Sequence, residues 1–486
     1  MASTNEHPAV VPKVNRMKVA PPHLLMVPYP TQPHILPMLS LARQIASHGG
    51  LKITYVCHQT LIDRLLRSDS TLSDSIQFVG VPDELPGFSP QSELPETPIV
   101  LRESLQLGYC IGPFVDKLLQ DQNQLQGPTC MITDLMHWWG TDVAAKLSIP
   151  RYTLSVNPAV FLQLVLNCPI KGYISDDEDG FIRVPALPPF QIHHLPRQFR
   201  NEAGAGQFVT RWYKGAMESD GVLVNTCLAL EAKVVEAVRD SLQRDIPVLP
   251  VGPLALSQGL FSKSVSMEGL QLSDEKTISD WLGDQPPLSV LYVSFGTTGL
   301  FNLAKQHVTE LARGLEASGQ RFLWVFRAPS GVDENDPELL PPGFEERVKG
   351  RALLLRGWAP QLKILAHPST GAFLSSCGWN SALESVALGV PIIGWPSFAD
   401  QPPIARYLEG ALKVAITLPF KDDLFVEAED FVKAINVVLQ SEEGKAMRER
   451  TCKYKTSIGA QLLPGGSSHA AIQEFANLIK CGSVST

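Results

Sequence analysis

Residues 358–401 read WAPQLKILAHPSTGAFLSSCGWNSALESVALGVPIIGWPSFADQ, and the rest of the chain is organised around them. Trp358 offers a flat aromatic face on which a base can stack, an interaction worth about 1–3 kcal/mol. Gln361 carries an amide suited to the polar edge of a pyrimidine. The apolar run at 371–374 reads as a buried strand. It leads through Ser376, Cys377 and Gly378 into a helix from Asn380 to Leu388, closed by Gly389 and Pro391. A strand, a glycine and a helix start in succession make an anion site, because free N–H groups and the helix dipole converge there. Asn380 and Ser381 add side-chain donors. Glu384 lies one turn deeper on the face of Asn380, and its carboxylate can accept from two vicinal ribose hydroxyls. Asp400 and Gln401, beyond a second strand at 392–395, pair an acceptor with an amide and suit sugar hydroxyls.

With W-A-P-Q, H-P, C-G-W-N-S, E-S, G-V-P and D-Q in register, the stretch resembles the signature box of the plant secondary-product glycosyltransferases. These are UDP-sugar-dependent enzymes with the GT-B fold. The resemblance implies that Trp358 and Gln361 hold the uracil, with Ala359 in the same donor site. It implies Glu384 at the ribose, and Asn380 and Ser381 at the diphosphate beside Gly378. It puts Trp379, Asp400 and Gln401 at the sugar, and a terminal glutamine such as Gln401 is associated with glucose. One position departs from the pattern. Family members commonly carry a histidine before Cys-Gly-Trp, and this chain has Ser376. A serine hydroxyl can still donate to a phosphate, but it is shorter and never charged. Weaker UDP-sugar binding follows unless backbone amides or another residue compensate.

Composition bounds the rest. A chain of 486 residues with 44% hydrophobic and 19% charged residues is globular with ample core. A formal net charge of −8 gives no reason to expect nucleic acid or an anionic membrane surface as partner. The 8 cysteines are scattered without a C-x-x-C pair, which favours free thiols in a reducing compartment. The polar N-terminal stretch lacks the apolar core of a signal peptide, and no 18-residue apolar run suggests a membrane helix. The expectation is a cytoplasmic monomer without the C-terminal anchor of related animal enzymes.

From residue 23 onward, strands alternate with helices. Short apolar runs at 23–27, 53–57, 76–81, 129–133, 152–156, 221–224 and 248–251 predict a parallel, doubly wound sheet, with ligands outside the carboxyl ends of its strands. His34 opens the first helix, in the loop after the first strand. Histidine can take a proton near neutral pH without a large pKa shift. A lone histidine is more often a cap or a surface residue. The resemblance turns His34 into the catalytic base, because the family carries one in a G-H-x-x-P pattern. Here Pro33 replaces the glycine, while His34 and Pro37 keep their spacing. Asp134, ending its strand, matches the family's orienting aspartate; Asp142 is a lesser alternative. Trp138, Trp139 and Phe161 are candidates for an acceptor pocket or equally for core, and Ser155 is a weak candidate near the sugar. The acidic run 176–179 reads as a solvated loop rather than a metal site.

A second series of strands starts at 290–295. The loop that follows, Gly296-Thr297-Thr298-Gly299, resembles a family loop in which Thr297 faces the diphosphate and sugar. The fold expected is therefore α/β of GT-B type, two Rossmann-like doubly wound parallel-sheet domains facing an interdomain cleft. Residues 1–254 would bind the acceptor, 255–285 link, 286–460 bind the UDP-sugar, and 461–486 return as a helix onto the first domain. The activity expected is metal-independent, inverting transfer of a sugar, glucose first, from a UDP-sugar to a hydroxyl of a small apolar phenolic, flavonoid or terpenoid acceptor. The UDP-sugar is a co-substrate and no cofactor is expected. The alternatives are an inactive nucleotide-sugar-binding protein and a UDP-sugar epimerase.

Overall fold

Seven parallel strands make the first sheet: β1 His23–Val27, β2 Lys52–His58, β3 Gln77–Val81, β4 Cys130–Asp134, β5 Arg151–Ser155, β6 Gly221–Val224 and β7 Val248–Pro250. Six more make the second: β8 Val290–Val293, β9 Arg321–Phe326, β10 Ala352–Arg356, β11 Thr370–Ser375, β12 Ile392–Gly394 and β13 Ala415–Thr417. The computed structural model describes residues 21–68, 76–82, 111–113, 115–116, 119–120, 127–167, 180–196, 199–200, 206–256, 275–296, 304–327, 339–419 and 424–482. Thr297, the acidic run 176–179 and residues 257–274 between the sheets lie outside these residues.

Strands such as His-Leu-Leu-Met-Val of β1 and Val-Leu-Tyr-Val of β8 are buried along their whole length. Continuous apolar runs belong in parallel sheets with both faces covered by helices. The first sheet is ordered β3-β2-β1-β4-β5-β6-β7 and the second β10-β9-β8-β11-β12-β13. In each, the chain builds outward in one direction and then crosses back over its first strand. The crossing opens a crevice at the carboxyl ends of the two central strands, where α/β sheets bind ligands. In the first sheet that crevice lies between β1 and β4, and in the second between β8 and β11.

Helices from both halves pack across the seam between them. The helix Trp379–Leu388 buries Trp379, Ala382, Leu383 and Val386 in one cluster with Val224, Leu230 and Val234 of the first half. The helix Ser467–Gly482 returns the chain to the first sheet. Its Ala471, Ile472, Phe475 and Ile479 share a core with Leu39, Leu249 and Val251. Ser468 Oγ donates to Gly252 O at 2.7 Å, and the Phe475 ring stands edge-on to Tyr152 at 4.9 Å.

Phe475 is fully buried, so Phe475→Ala is expected to destabilise the protein by about 3–5 kcal/mol. Denaturant unfolding followed by circular dichroism measures this. A loss below about 1 kcal/mol would mean that the returning helix adds little to the first core.

Candidate functional site

The two crevices open onto one cavity of about 410 Å³ between the sheets, within the size range of ligand sites. On one wall stands His34, the third residue of the helix Gln32–Ser47. Pro33 falls in the first turn, where its fixed φ suits a helix start. His34 Nδ1 lies 2.8 Å from Asp134 Oδ2, at the end of the neighbouring strand β4. Asp134 is fully buried, and its other oxygen accepts the Met136 N–H at 2.9 Å. A carboxylate can only accept, so the imidazole carries its proton on Nδ1 and leaves the Nε2 lone pair free. Behind this pair, burial lowers the His137 pKa to about 4, so its ring stays neutral. Its Nε2–H donates to Pro28 O at 3.0 Å and tethers the loop after β1.

The opposite wall is the 358–401 stretch. Trp358, Ala359, Gln361, Ser376, Gly378, Trp379, Asn380, Ser381, Glu384, Asp400 and Gln401 all line the cavity. Between β11 and the helix Trp379–Leu388 the chain makes a sharp turn, with Cys377 at φ 62°. A non-glycine residue there costs on the order of 1 kcal/mol. Gly378 is the N-cap and, among the described residues, no side chain caps the helix, so its first N–H groups are open to a ligand. Gln361 Nε2 donates to Glu384 Oε2 at 2.7 Å and to Ser381 Oγ at 3.1 Å. Burial raises the Glu384 carboxyl to about 7, against the Gln361 hydrogen bond that lowers it. The Trp379 indole N–H is turned away to Asn225 O at 2.7 Å. Gln401 Oε1 accepts from Ser397 N at 3.0 Å and closes a turn, leaving the amide hydrogens as its free donors. Burial raises the pKa of Asp400, opposed first by the hydrogen bond from Asn157 and then by nearby His34.

Phe161 lies in the cavity wall, but Trp138, Trp139 and Ser155 do not reach it. The Trp138 ring lies under the Arg211 guanidinium, 4.9 Å away. Trp139 packs on His137 with ring centroids 4.8 Å apart. Ser155 is buried, and its Oγ donates to Asn157 O at 3.1 Å. Among the described residues, the apolar part of the wall includes instead Met136, Val156, Phe161, Trp212 and Phe398. Phe161 sits on the helix Ala159–Leu166, whose Ala159 and Val160 N–H groups donate to buried Glu231 at 3.0 and 2.9 Å. Asp142 is exposed, in the first turn of the helix Gly140–Leu147.

Several lining residues are missed by the sequence reading. Asn157 donates from Nδ2 to Asp400 Oδ2 at 2.8 Å across the cavity. Arg327, just past β9, brings a positive charge to it. Tyr292 OH donates to Gln361 Oε1 at 3.3 Å. Asn157 and Arg327 follow strand ends, and polar residues just past a parallel strand are the available signal.

Residues 275–451 match the family model described as "UDP-glucoronosyl and UDP-glucosyl transferase". UDP-glycosyltransferase 72B1 of Arabidopsis thaliana is 32% identical over 475 residues, covering 93% of this chain and 95% of that protein. The anthocyanidin 5,3-O-glucosyltransferase of a Rosa hybrid cultivar is 29% identical over 94% of this chain and 98% of its own. The structure of Phytolacca americana UGT2 complexed with UDP-2fluoro-glucose and pterostilbene superposes with a TM-score of 0.78 at 30% identity, covering 94% of this chain and 99% of that one. With two switch-point crevices facing one cavity and relatives that match along nearly its whole length, this chain belongs to the plant UDP-glycosyltransferases, enzymes of the GT-B fold.

Proposed function

We propose that the protein is an inverting glucosyltransferase that moves glucose from UDP-glucose to a hydroxyl of a small apolar acceptor, such as a flavonoid, another phenol or a terpenoid. The observation that carries this reading is the His34–Asp134 pair facing the uncapped helix start across one cavity. The acceptor O–H gives its proton to His34 Nε2. Its oxygen bonds to the anomeric carbon as the bond to the UDP oxygen breaks on the opposite face, giving a β-glycoside from an α-linked donor. Asp134 holds the imidazole in the useful tautomer and stabilises its charged form. Negative charge building on the diphosphate meets the N–H groups at the start of the helix Trp379–Leu388, together with Asn380, Ser381 and Ser376.

On this reading the uracil stacks on Trp358 beside Ala359, and the ribose hydroxyls donate to Glu384. Gln361 already serves Glu384, so its first role is to hold that carboxylate. Asp400 and the free amide of Gln401 take the glucose hydroxyls, with Asn157 steadying Asp400. Trp379 contributes through its main chain, because its indole is bound elsewhere. The acceptor occupies the apolar wall around Met136, Phe161 and Trp212. Support comes from relatives whose names specify anthocyanidin and flavonol acceptors, and from the UGT2 complex with UDP-2fluoro-glucose and pterostilbene. Residues 1–254 are assigned to the acceptor and 286–460 to the donor, joined by 255–285, with 461–486 packed back on the first part. A monomer in the cytoplasm completes the proposal.

Incubation with UDP-glucose and a phenolic acceptor panel, read by mass spectrometry, is expected to show a hexose adduct, and NMR coupling at the anomeric carbon to show the β-linkage. UDP-glucose without acceptor is expected to stay unchanged; its epimerisation would contradict the reading. His34→Ala is expected to lower kcat about 10²–10⁴-fold while UDP still binds. Unchanged transfer in that variant would remove His34 from the role of base.

A pH dependence follows from Glu384, whose carboxyl stands at about 7 in the folded protein. Ribose hydroxyls are held best by the ionised form, so the proton must leave before binding. Uridine affinity is therefore expected to fall as pH drops from about 8 to 6, by at most about tenfold per unit. Uridine has no phosphate to titrate, so calorimetry with it isolates Glu384. Glu384→Gln is expected to flatten the profile; a wild-type affinity constant across that range would contradict the assignment.

A further inference from the structure

We propose that Asn225 is a positioning residue for the transfer, because one closed ring of hydrogen bonds through its side chain holds both Asn380 and the helix that carries His34. The inference rests on the roles given above to His34 and Asn380.

The ring starts from a vacancy written in the sequence. Pro37 has no N–H to return to the carbonyl four residues earlier, which is Pro33 O. Asn380 Nδ2, from the second half of the chain, donates to that carbonyl at 2.9 Å. Asn380 Oδ1 accepts from Asn225 Nδ2 at 3.4 Å. Asn225 Oδ1 accepts the Leu254 N–H at 2.9 Å, and Leu254 O accepts from Ser40 Oγ at 2.5 Å. Ser40 lies two turns along the same helix as Pro33, so the circuit closes on itself.

The polarity of this ring has one solution. Leu254 offers an N–H and Pro33 a carbonyl, and neither role can be exchanged. Asn225 must therefore turn its oxygen to Leu254 and its amino group to Asn380, where Val156 O, 3.2 Å from Nδ2, takes the other hydrogen. Asn380 must then turn its oxygen to Asn225 and its amino group to Pro33. That leaves one Asn380 hydrogen free to face the cavity and a diphosphate. A flipped Asn380 would present a carbonyl oxygen to both Pro33 O and the phosphates. Asn225 and Pro33 O thus together decide which end of Asn380 meets the donor. It is fully buried with its side-chain donors and acceptor used. Its own carbonyl anchors the Trp379 indole. Gly252 makes room for it: a Cβ on that residue would lie 2.5 Å from Asn225 Oδ1.

Two variants test the ring. Asn225→Asp cannot donate to both Val156 O and Asn380, and when ionised donates to neither. It is expected to lower kcat by about tenfold or more and weaken UDP binding about three- to tenfold, with uridine affinity within about twofold of wild type. Ser40→Ala opens the ring away from the cavity. It is expected to lower kcat about three- to tenfold while UDP and uridine affinities stay within about twofold. In a His34→Ala background Ser40→Ala is expected to have no further effect on the residual rate, since the residue it positions is gone. Either variant turning over within about twofold of wild type would overturn the proposal. So would equal losses of UDP and uridine affinity with a lowered melting temperature in Asn225→Asp, the signature of damaged packing. Wild-type protein that binds no UDP or transfers no glucose would instead overturn the proposed function itself.

Discussion

The helix Trp379–Leu388 has to satisfy two environments at once. Its apolar side, Ala382, Leu383 and Val386, packs in one core cluster with residues of the first half, while its N-terminus opens into the cavity between the sheets. Burial of that side sets the distance between the two sheets. With it in place, the crevice between β1 and β4 faces the crevice between β8 and β11. Without it, an imidazole on one sheet and a set of free N–H groups on the other would have no fixed relation. Hydrogen bonds then refine what packing has brought near: Trp379 to Asn225, Asn380 to Pro33, Asn157 to Asp400 and Tyr407 to Leu230 all cross between the halves.

Three carboxyl groups, one fully buried and two at the cavity wall, show how this arrangement handles charge. Glu384 and Asp400 line the cavity, and burial raises both. Each receives an amide hydrogen bond, from Gln361 and Asn157 respectively, which favours the ionised form and keeps the oxygens aimed. Glu231 is raised to about 7 by the same cause, and it receives two backbone N–H groups at the start of the helix Ala159–Leu166. That cap orients the helix that carries Phe161 into the apolar wall. Carboxylates at helix starts are favourable because the dipole and the unpaired N–H groups act together.

Much of the architecture can be read from periodicity. Runs such as His-Leu-Leu-Met-Val and Gly-Val-Leu-Val are too short for helices and too apolar for one-sided strands. The wall proposed for the donor is nearly as legible, since a contiguous stretch supplies most of its side chains and local geometry aims most of them. The apolar wall is less so. Trp138 and Trp139 sit close to a strand end, yet one packs under Arg211 and the other on His137. For Trp138 a side chain more than seventy residues away decides the orientation, and for Trp139 one two residues away, itself held by the loop after β1. Trp379 and Gln361 show the same limit within the signature stretch, because their partners, Asn225 and Glu384, lie on other elements.

By itself, the amino-acid order determined the strand and helix series, the strand–turn–helix at 376–378 with its open backbone N–H groups, and the carbonyl left open at Pro33 by Pro37. These follow from local rules: periodicity, backbone donors and proline's missing N–H. Tertiary structure alone decided that Asn380 fills that vacancy, that Asn225 meets Asn380, that Asn157 reaches Asp400, and which aromatic rings border the cavity. Those choices depend on contacts between residues up to 347 positions apart, and no local preference carries information over that separation.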